Sequence, residues 1–142
     1  MSEYDTDILT WSERQTALLR RVAAGEAANS NALDWPNIIE EIEAVGRSEL
    51  RAIESLLFQA FVHLLKAEAW PLSDAVPHWQ GEARGFRARA RRIYTNSMAQ
   101  RIDLAGLYQD ALKALPEKVD GQGPLPVPSE CPVTLDELLA DA

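Results

Sequence analysis

Two sets of residues in this sequence have types and spacings that could support chemistry, and the first consists of carboxylates with one histidine. Glu40 and Glu43 are three positions apart, which on a helix places both carboxylates on one side, and His63 follows later in the chain. Carboxylate and imidazole groups bind divalent cations, so a metal-dependent enzyme using Glu40, Glu43 and His63 is one hypothesis. The alternative is an i, i+4 ion pair between Glu43 and Arg47, with Glu40 in a charged surface face.

The sequence context weakens the metal hypothesis. Di-metal carboxylate bundles place a glutamate three residues before each ligating histidine, whereas Ala60 and Ala75 occupy those positions before His63 and His78. No Gly-x-Ser-x-Gly motif is present, and Cys131 has no base or helix start beside it in sequence. The sequence therefore favours a non-enzymatic protein, with no catalytic residue, metal ligand or cofactor assigned.

The second set is a run of arginines in the middle of the chain. Residues 73–101 contain six arginines and two acids, a net charge of +4. Guanidinium groups match phosphate geometry, so this segment is a candidate interaction surface for nucleic acid. The competing interpretation is that cross-helix ion pairs with the glutamate-rich helix neutralise both helices, and the sequence leaves the two open. The arginines are Arg84, Arg87, Arg89, Arg91, Arg92 and Arg101.

The charge of the whole chain argues against a generally basic binding protein. There are 14 Lys and Arg residues against 22 Asp and Glu residues, a net charge of -8. The acidic excess lies on either side of the arginine run, because residues 1–72 and 102–142 each carry a net charge of -6. Contact with a polyanion is consequently expected to be local if it occurs.

Helical periodicity extends over most of the chain. The first helix is predicted from Asp7 to Ala24, and the second begins at Asp34-Trp35-Pro36 and ends at Trp70-Pro71. Whether Gly46 breaks the second helix is left open. Its buried stripe is predicted to include Ile38, Ile42, Val45, Leu50, Ile53, Leu57, Phe61 and Leu64, while Trp35 is either a packing anchor or a half-exposed contact residue.

The second half of the chain contains two more main helices and an arm. A third helix is predicted between Ser73 and Ser97, and a fourth between Ile102 and Leu115. Five prolines from Pro116 to Pro132 indicate an extended arm, after which Thr134 caps a short helix over Leu135 to Ala140. With 142 residues, we expect one all-α domain: residues 1–115 form a bundle of four main helices, and residues 116–142 pack on it.

Features associated with export or membrane insertion are weak. The first seven residues carry three acids and no base, unlike a secretory signal, and the longest apolar stretch is about half the ~20 residues of a membrane span. The single cysteine, Cys131, cannot form an internal disulfide. We therefore expect a cytoplasmic protein with no membrane partner.

Several short motifs occur in a recognisable order. Tyr4-Asp5-Thr6-Asp7 is followed by Leu33-Asp34, then by Ile39-Glu40-Glu41-Ile42-Glu43 with Gly46-Arg47-Ser48-Glu49, and later by His63-Leu64-Leu65-Lys66 and Cys131-Pro132. In this order and spacing the chain resembles the bacterial domain of unknown function 29 family over nearly its whole length. The resemblance implies an all-helical, single-domain bacterial protein and supplies no activity or catalytic residue.

Abundant amphipathic helix without a catalytic set favours one class of function. We expect a non-enzymatic protein-protein interaction or self-association module, with a protein partner or a homo-oligomer. Nucleic-acid association through the arginine-rich third helix is the alternative, and a metal-dependent enzyme is the second alternative.

Overall fold

The computed structural model describes residues 2–26 and 30–140, and these residues are helical apart from their connections. Two short 3₁₀ helices, Ser30–Ala32 and Asn96–Met98, lie between longer elements. Within the described ranges no residue belongs to a β-strand, and one isolated bridge joins Val119 to Gln122. The predicted all-α class is therefore confirmed. In the part of the chain that the structure describes, the α-helices are α1 (Glu3–Thr6), α2 (Ile8–Ala23), α3 (Trp35–Ala69), α4 (Val76–Ile93), α5 (Leu104–Ala114) and α6 (Leu135–Leu139).

The long helix α3 settles the question that Gly46 raised. It runs for 35 residues without interruption, and Gly46 lies inside it. The helix ends where Trp70 precedes Pro71, because a residue before proline is disfavoured in helical geometry. At its start, the amide of Ile38 donates to the carbonyl of Asp34.

The chain forms two compact units, residues 1–47 and residues 48–142. Unit 1 contains α1, α2 and the first part of α3, and it has a small core of Trp11, Leu33 and Ile38. The rings of Tyr4 and Trp11 meet edge to face with centroids 4.9 Å apart. A T-shaped pair of this kind adds to the stabilisation from buried area.

Unit 2 has the larger core, built from α3, α4, α5 and α6. Phe61 and Tyr108 pack edge to face with ring centroids 5.3 Å apart. Tyr108 is buried, and its hydroxyl donates to the carbonyl of Pro128 at 2.6 Å, so its polar atom has a partner. The fully or largely buried members of this core are Ile53, Leu57, Phe61, Val62, Leu65, Ala90, Met98, Ile102, Tyr108, Ala111, Leu138 and Leu139.

The predicted proline-rich arm is held to unit 2 by backbone contacts. The amide of Leu125 donates to the carbonyl of Ala69 at 2.9 Å. A tight turn at Asp120-Gly121 precedes this contact, with φ angles of 53° and 77°, and glycine accepts such positive angles without a steric penalty. The arm then leads to α6, whose Leu138 and Leu139 are buried in the core.

Candidate functional site

The six arginines of the predicted interaction surface do not share one environment. Arg84, Arg89, Arg92 and Arg101 are exposed, whereas Arg87 and Arg91 are half-buried. Five of the six lie on α4, and Arg101 follows the second 3₁₀ helix. Only part of the predicted surface is therefore open to solvent among the described residues.

The two half-buried arginines bind the end of α6. Arg87 donates from Nε to the carbonyl of Leu138 at 2.7 Å, and from Nη2 to the carbonyls of Glu137 and Ala140 at 3.4 and 3.2 Å. Arg91 donates from Nη1 to the carbonyls of Leu139 and Ala140 at 3.4 and 3.2 Å. Carbonyls at a helix end lack i+4 donors from the helix itself, and between described residues only that of Glu137 also accepts from a backbone amide, that of Ala140.

Electrostatics explains why arginines lie at this position. The last carbonyls of a helix carry partial negative charge, so a cation stabilises them. The N-terminal end of α6 is also stabilised. Thr134 and Glu137 form a capping box, in which the side chain of each accepts a hydrogen bond from the backbone amide of the other. With only five residues, α6 would not be helical in isolation, so these contacts and its two buried leucines maintain it.

The cross-helix ion pairs of the competing interpretation are not formed between described residues of unit 2. Between described residues, Arg84, Arg87, Arg89 and Arg92 form no ion pair with the α3 glutamates of that unit, Glu49, Glu54 and Glu68. Backbone carbonyls take the place of the expected carboxylates at Arg87. Arg89 instead lies over the Phe86 ring, with the guanidinium carbon 4.8 Å from the ring centroid.

The carboxylates of the metal hypothesis contact an arginine. Arg47 Nη2 lies 2.6 Å from Glu40 Oε1, and Arg47 Nη1 lies 3.7 Å from Glu43 Oε2, the i, i+4 pair that the spacing predicts. His63 Nδ1 donates to the carbonyl of Gln59 at 2.8 Å, and its ring lies 5.4 Å from that of Phe86. No group of three His, Cys, Asp or Glu side chains suited to a metal ion occurs in the described part of the chain.

Polar contacts join α1 and α2 to the start of α3 in unit 1. Asp34 Oδ2 accepts from Asn37 Nδ2 at 2.8 Å and from Trp11 Nε1 at 2.9 Å, and these hydrogen bonds lower the pKa of Asp34. The hydroxyl of Tyr4 donates to Glu41 Oε1 at 2.6 Å, which raises the pKa of Tyr4. Trp11 and Tyr4 are thus oriented by carboxylates at the start of α3.

In unit 1, α3 carries exposed apolar side chains, contrary to prediction. Ile42 and Val45, expected in the buried stripe, are 68% and 65% exposed, whereas Ile38 is buried as predicted. Trp35 and Ile39 on the same helix are 44% and 52% exposed. We call Trp35, Ile39, Ile42 and Val45 the α3 face. Sequence periodicity detects such a stripe but does not reveal whether another element covers it.

Unit 2 has an apolar cleft of about 420 Å³ beside the Asp120-Gly121 turn. Trp70 is buried against it and donates from Nε1 to the carbonyl of Gln122 at 2.8 Å. Leu72 and Leu125 line the cleft and are 96% and 54% exposed. The hydrogen bonds of Trp70 and Leu125 fix the walls of this cleft. In the sequence, only the Asp-Gly dipeptide of the turn indicates it.

None of the described helices has the length and apolar character needed to cross a membrane. Among curated proteins, none matches this chain. A crystal structure of an alpha-helical protein of unknown function from Rhodospirillum rubrum has a similar fold, with a TM-score of 0.65 and 24% sequence identity, over 98% of this chain and 90% of that one. Residues 3–142 match the family described as Domain of unknown function DUF29, and the chain therefore belongs to that family.

Proposed function

We propose that this protein is a non-enzymatic helical module that self-associates through the α3 face. The observation that carries the proposal is the exposure of four large apolar side chains on one side of one helix. Seven of the nine exposed large hydrophobic side chains among the described residues lie in unit 1, so the exposure is concentrated there. Contiguous exposed apolar surface is typical of protein-protein contact sites.

The α3 face continues the stripe of Ile38 beyond the part that the core of unit 1 covers. Ile42 and Val45 follow Ile38 by four and seven residues, so the three side chains lie on nearly the same side of the helix. Ile38 is buried with Trp11, whereas Ile42 and Val45 are 68% and 65% exposed. The exposed part of the stripe therefore remains available to a second molecule without opening the unit.

A second copy is the partner that this face favours. Closed twofold dimers are the commonest oligomers, and each subunit then contributes the same patch. The charged residues nearest the face are partly neutralised, because Arg47 pairs with Glu40 and Glu43 of the same helix. Arg47 therefore reduces the local charge of this pair of glutamates from -2 to -1, which weakens their repulsion of a second copy.

Nucleic-acid association through the arginine-rich helix has less support. Arg87 and Arg91 donate to carbonyls of α6, and Arg89 lies over Phe86, so the six arginines do not form one open row. For the compartment we propose the cytoplasm, where a single thiol such as Cys131 stays reduced.

Sedimentation velocity over a concentration series tests self-association. The wild-type protein is expected to show a concentration-dependent increase in sedimentation coefficient, and Ile42→Gln is expected to weaken association about tenfold or more. The matched control is Leu9→Gln, because Leu9 is 66% exposed, close to the 68% of Ile42, yet lies on α2. A wild-type protein that stays monomeric at every concentration, or equal effects of the two variants, contradicts the proposal.

A further inference from the structure

We infer that two copies pair through antiparallel α3 helices, with Trp35 of each copy seated over Gly46 of the other. This inference rests on the proposed self-association and specifies its geometry. It goes further because it names the residues that face each other across the twofold axis.

The spacing of the exposed residues gives the register. Trp35, Ile39, Ile42 and Gly46 follow one another at intervals of four, three and four residues, the alternation of a helix-pairing seam. In an antiparallel pair related by a twofold axis between residues 40 and 41, Ile39 faces Ile42 of the partner subunit. The same axis places Trp35 opposite Gly46 of the partner subunit, so the two ends of the seam are equivalent.

Size complementarity distinguishes this register from one centred on Ile42. Trp35 is the largest side chain of the seam and is 44% exposed, whereas Gly46 leaves open space, with no atom within 4 Å of the position that a Cβ would occupy. Packing a large residue against a small one lets two helices approach closely along the central isoleucines. A register centred on Ile42 would instead place Trp35 opposite the exposed carboxylate residue Glu49.

The size of the contact predicts weak association. Residues 35–46 span 11 steps of 1.5 Å, about 16 Å of helix, which is short for an interface of standard size. Two Trp-Gly layers and two Ile-Ile layers constitute its centre. We therefore expect a dissociation constant of about 10 μM or weaker, typical of a transient dimer.

A double-mutant cycle on Trp35 and Gly46 tests the register. Trp35→Ala is expected to weaken dimerisation about tenfold by removing the large side chain, and Gly46→Leu to weaken it by a similar factor by filling its seat. Combining the two substitutions places leucine opposite alanine. The double variant is expected to dimerise at least about tenfold more tightly than the product of the two single effects predicts. The two positions are about 16 Å apart along one helix, so such coupling requires contact between copies.

The outcomes separate the register from the proposed function. Strictly additive effects, or tighter association of Gly46→Leu, overturn the register, because a leucine that merely adds apolar surface would strengthen nonspecific contact. A wild-type protein that is monomeric throughout the concentration series overturns the self-association itself. Circular dichroism of each variant verifies folding, and the Leu9→Gln variant again provides the matched surface control.

Discussion

Asp34 is the residue whose protonation we expect to influence unit 1 most directly. Its pKa is lowered by hydrogen bonds from Asn37 and Trp11, so the folded state favours the carboxylate. A lowered pKa stabilises the fold at pH values above the ordinary aspartate value of 3.8, and this contribution is lost as the pH falls below 3.8 towards the folded pKa. The protection factor of the Trp11 indole N–H, which is the intrinsic exchange rate at each pH divided by the rate observed by NMR, is expected to fall between pH 6 and pH 2.5.

The variant Asp34→Asn removes the titration while it retains an oxygen acceptor. We expect the acid-dependent loss of Trp11 protection to be smaller in this variant than in the wild type. Asp74→Asn is the control, because Asp74 is exposed and accepts no hydrogen bond from a described residue. An acid response that Asp34→Asn leaves unchanged would contradict the role of this carboxylate.

Two glycines are expected to respond in opposite directions to the same substitution. Gly46 lies inside α3 with open space at its Cβ position, so Gly46→Ala is expected to stabilise the monomer by about 0.5–1 kcal/mol. Gly121 has a φ of 77°, a conformation that alanine disfavours, so Gly121→Ala is expected to destabilise it by about 1 kcal/mol. Urea unfolding at concentrations below association measures both, and shifts of the same sign would refute this assignment.

At the scale of elements, α6 depends on a cation supplied by another helix. Arg87 donates to carbonyls of Glu137, Leu138 and Ala140, and hydrogen bonds from a charged donor contribute about 1.5–3 kcal/mol. Arg87→Gln is therefore expected to destabilise α6 by about 2 kcal/mol. Hydrogen exchange at the amides of Leu138 and Leu139 measures this loss.

A nearby arginine, Arg92, provides the control for that experiment. Arg92 is on the same helix, is exposed and has no bond to a described residue, so Arg92→Gln is expected to change α6 exchange by less than about 0.5 kcal/mol. Equal effects of the two variants would show that total charge matters and that the carbonyl contacts of Arg87 do not.

Sequence patterns predicted the helices well and the partners of their side chains poorly. Proline at positions 36, 71 and 116 and the apolar periodicity gave the helix positions, because they reflect local backbone chemistry. The pairing of Arg87 with α6 was missed since the acceptors are backbone carbonyls, which every residue type carries. The exposure of Ile42 was missed for a different reason. An apolar stripe indicates a helix surface that is suited to burial, but it does not show whether another element packs on it.

At the scale of the whole molecule, charged residues, exposed hydrophobic residues and buried core residues are distributed unevenly between the two units, which the net charge of -8 does not show. The arginines are concentrated in α4 within unit 2, while the large exposed hydrophobic residues are concentrated in unit 1. The units also differ in core size, because three described apolar residues are buried in the unit 1 cluster against twelve in the main cluster of unit 2. Local stability follows buried apolar contacts, so unit 1 is expected to open at lower free energy than unit 2.

Native-state hydrogen exchange at the residue level tests this difference. Amides of α2 are expected to exchange through openings that cost less free energy than those of α5, and Trp11→Ala is expected to accelerate α2 while leaving α5 unchanged. Leu57→Ala, in the main core of unit 2, is expected to reduce α5 protection by about 2–5 kcal/mol through the cavity it leaves. Equal protection of α2 and α5, or acceleration of both helices by Trp11→Ala, would mean that the two cores unfold as one cooperative structure.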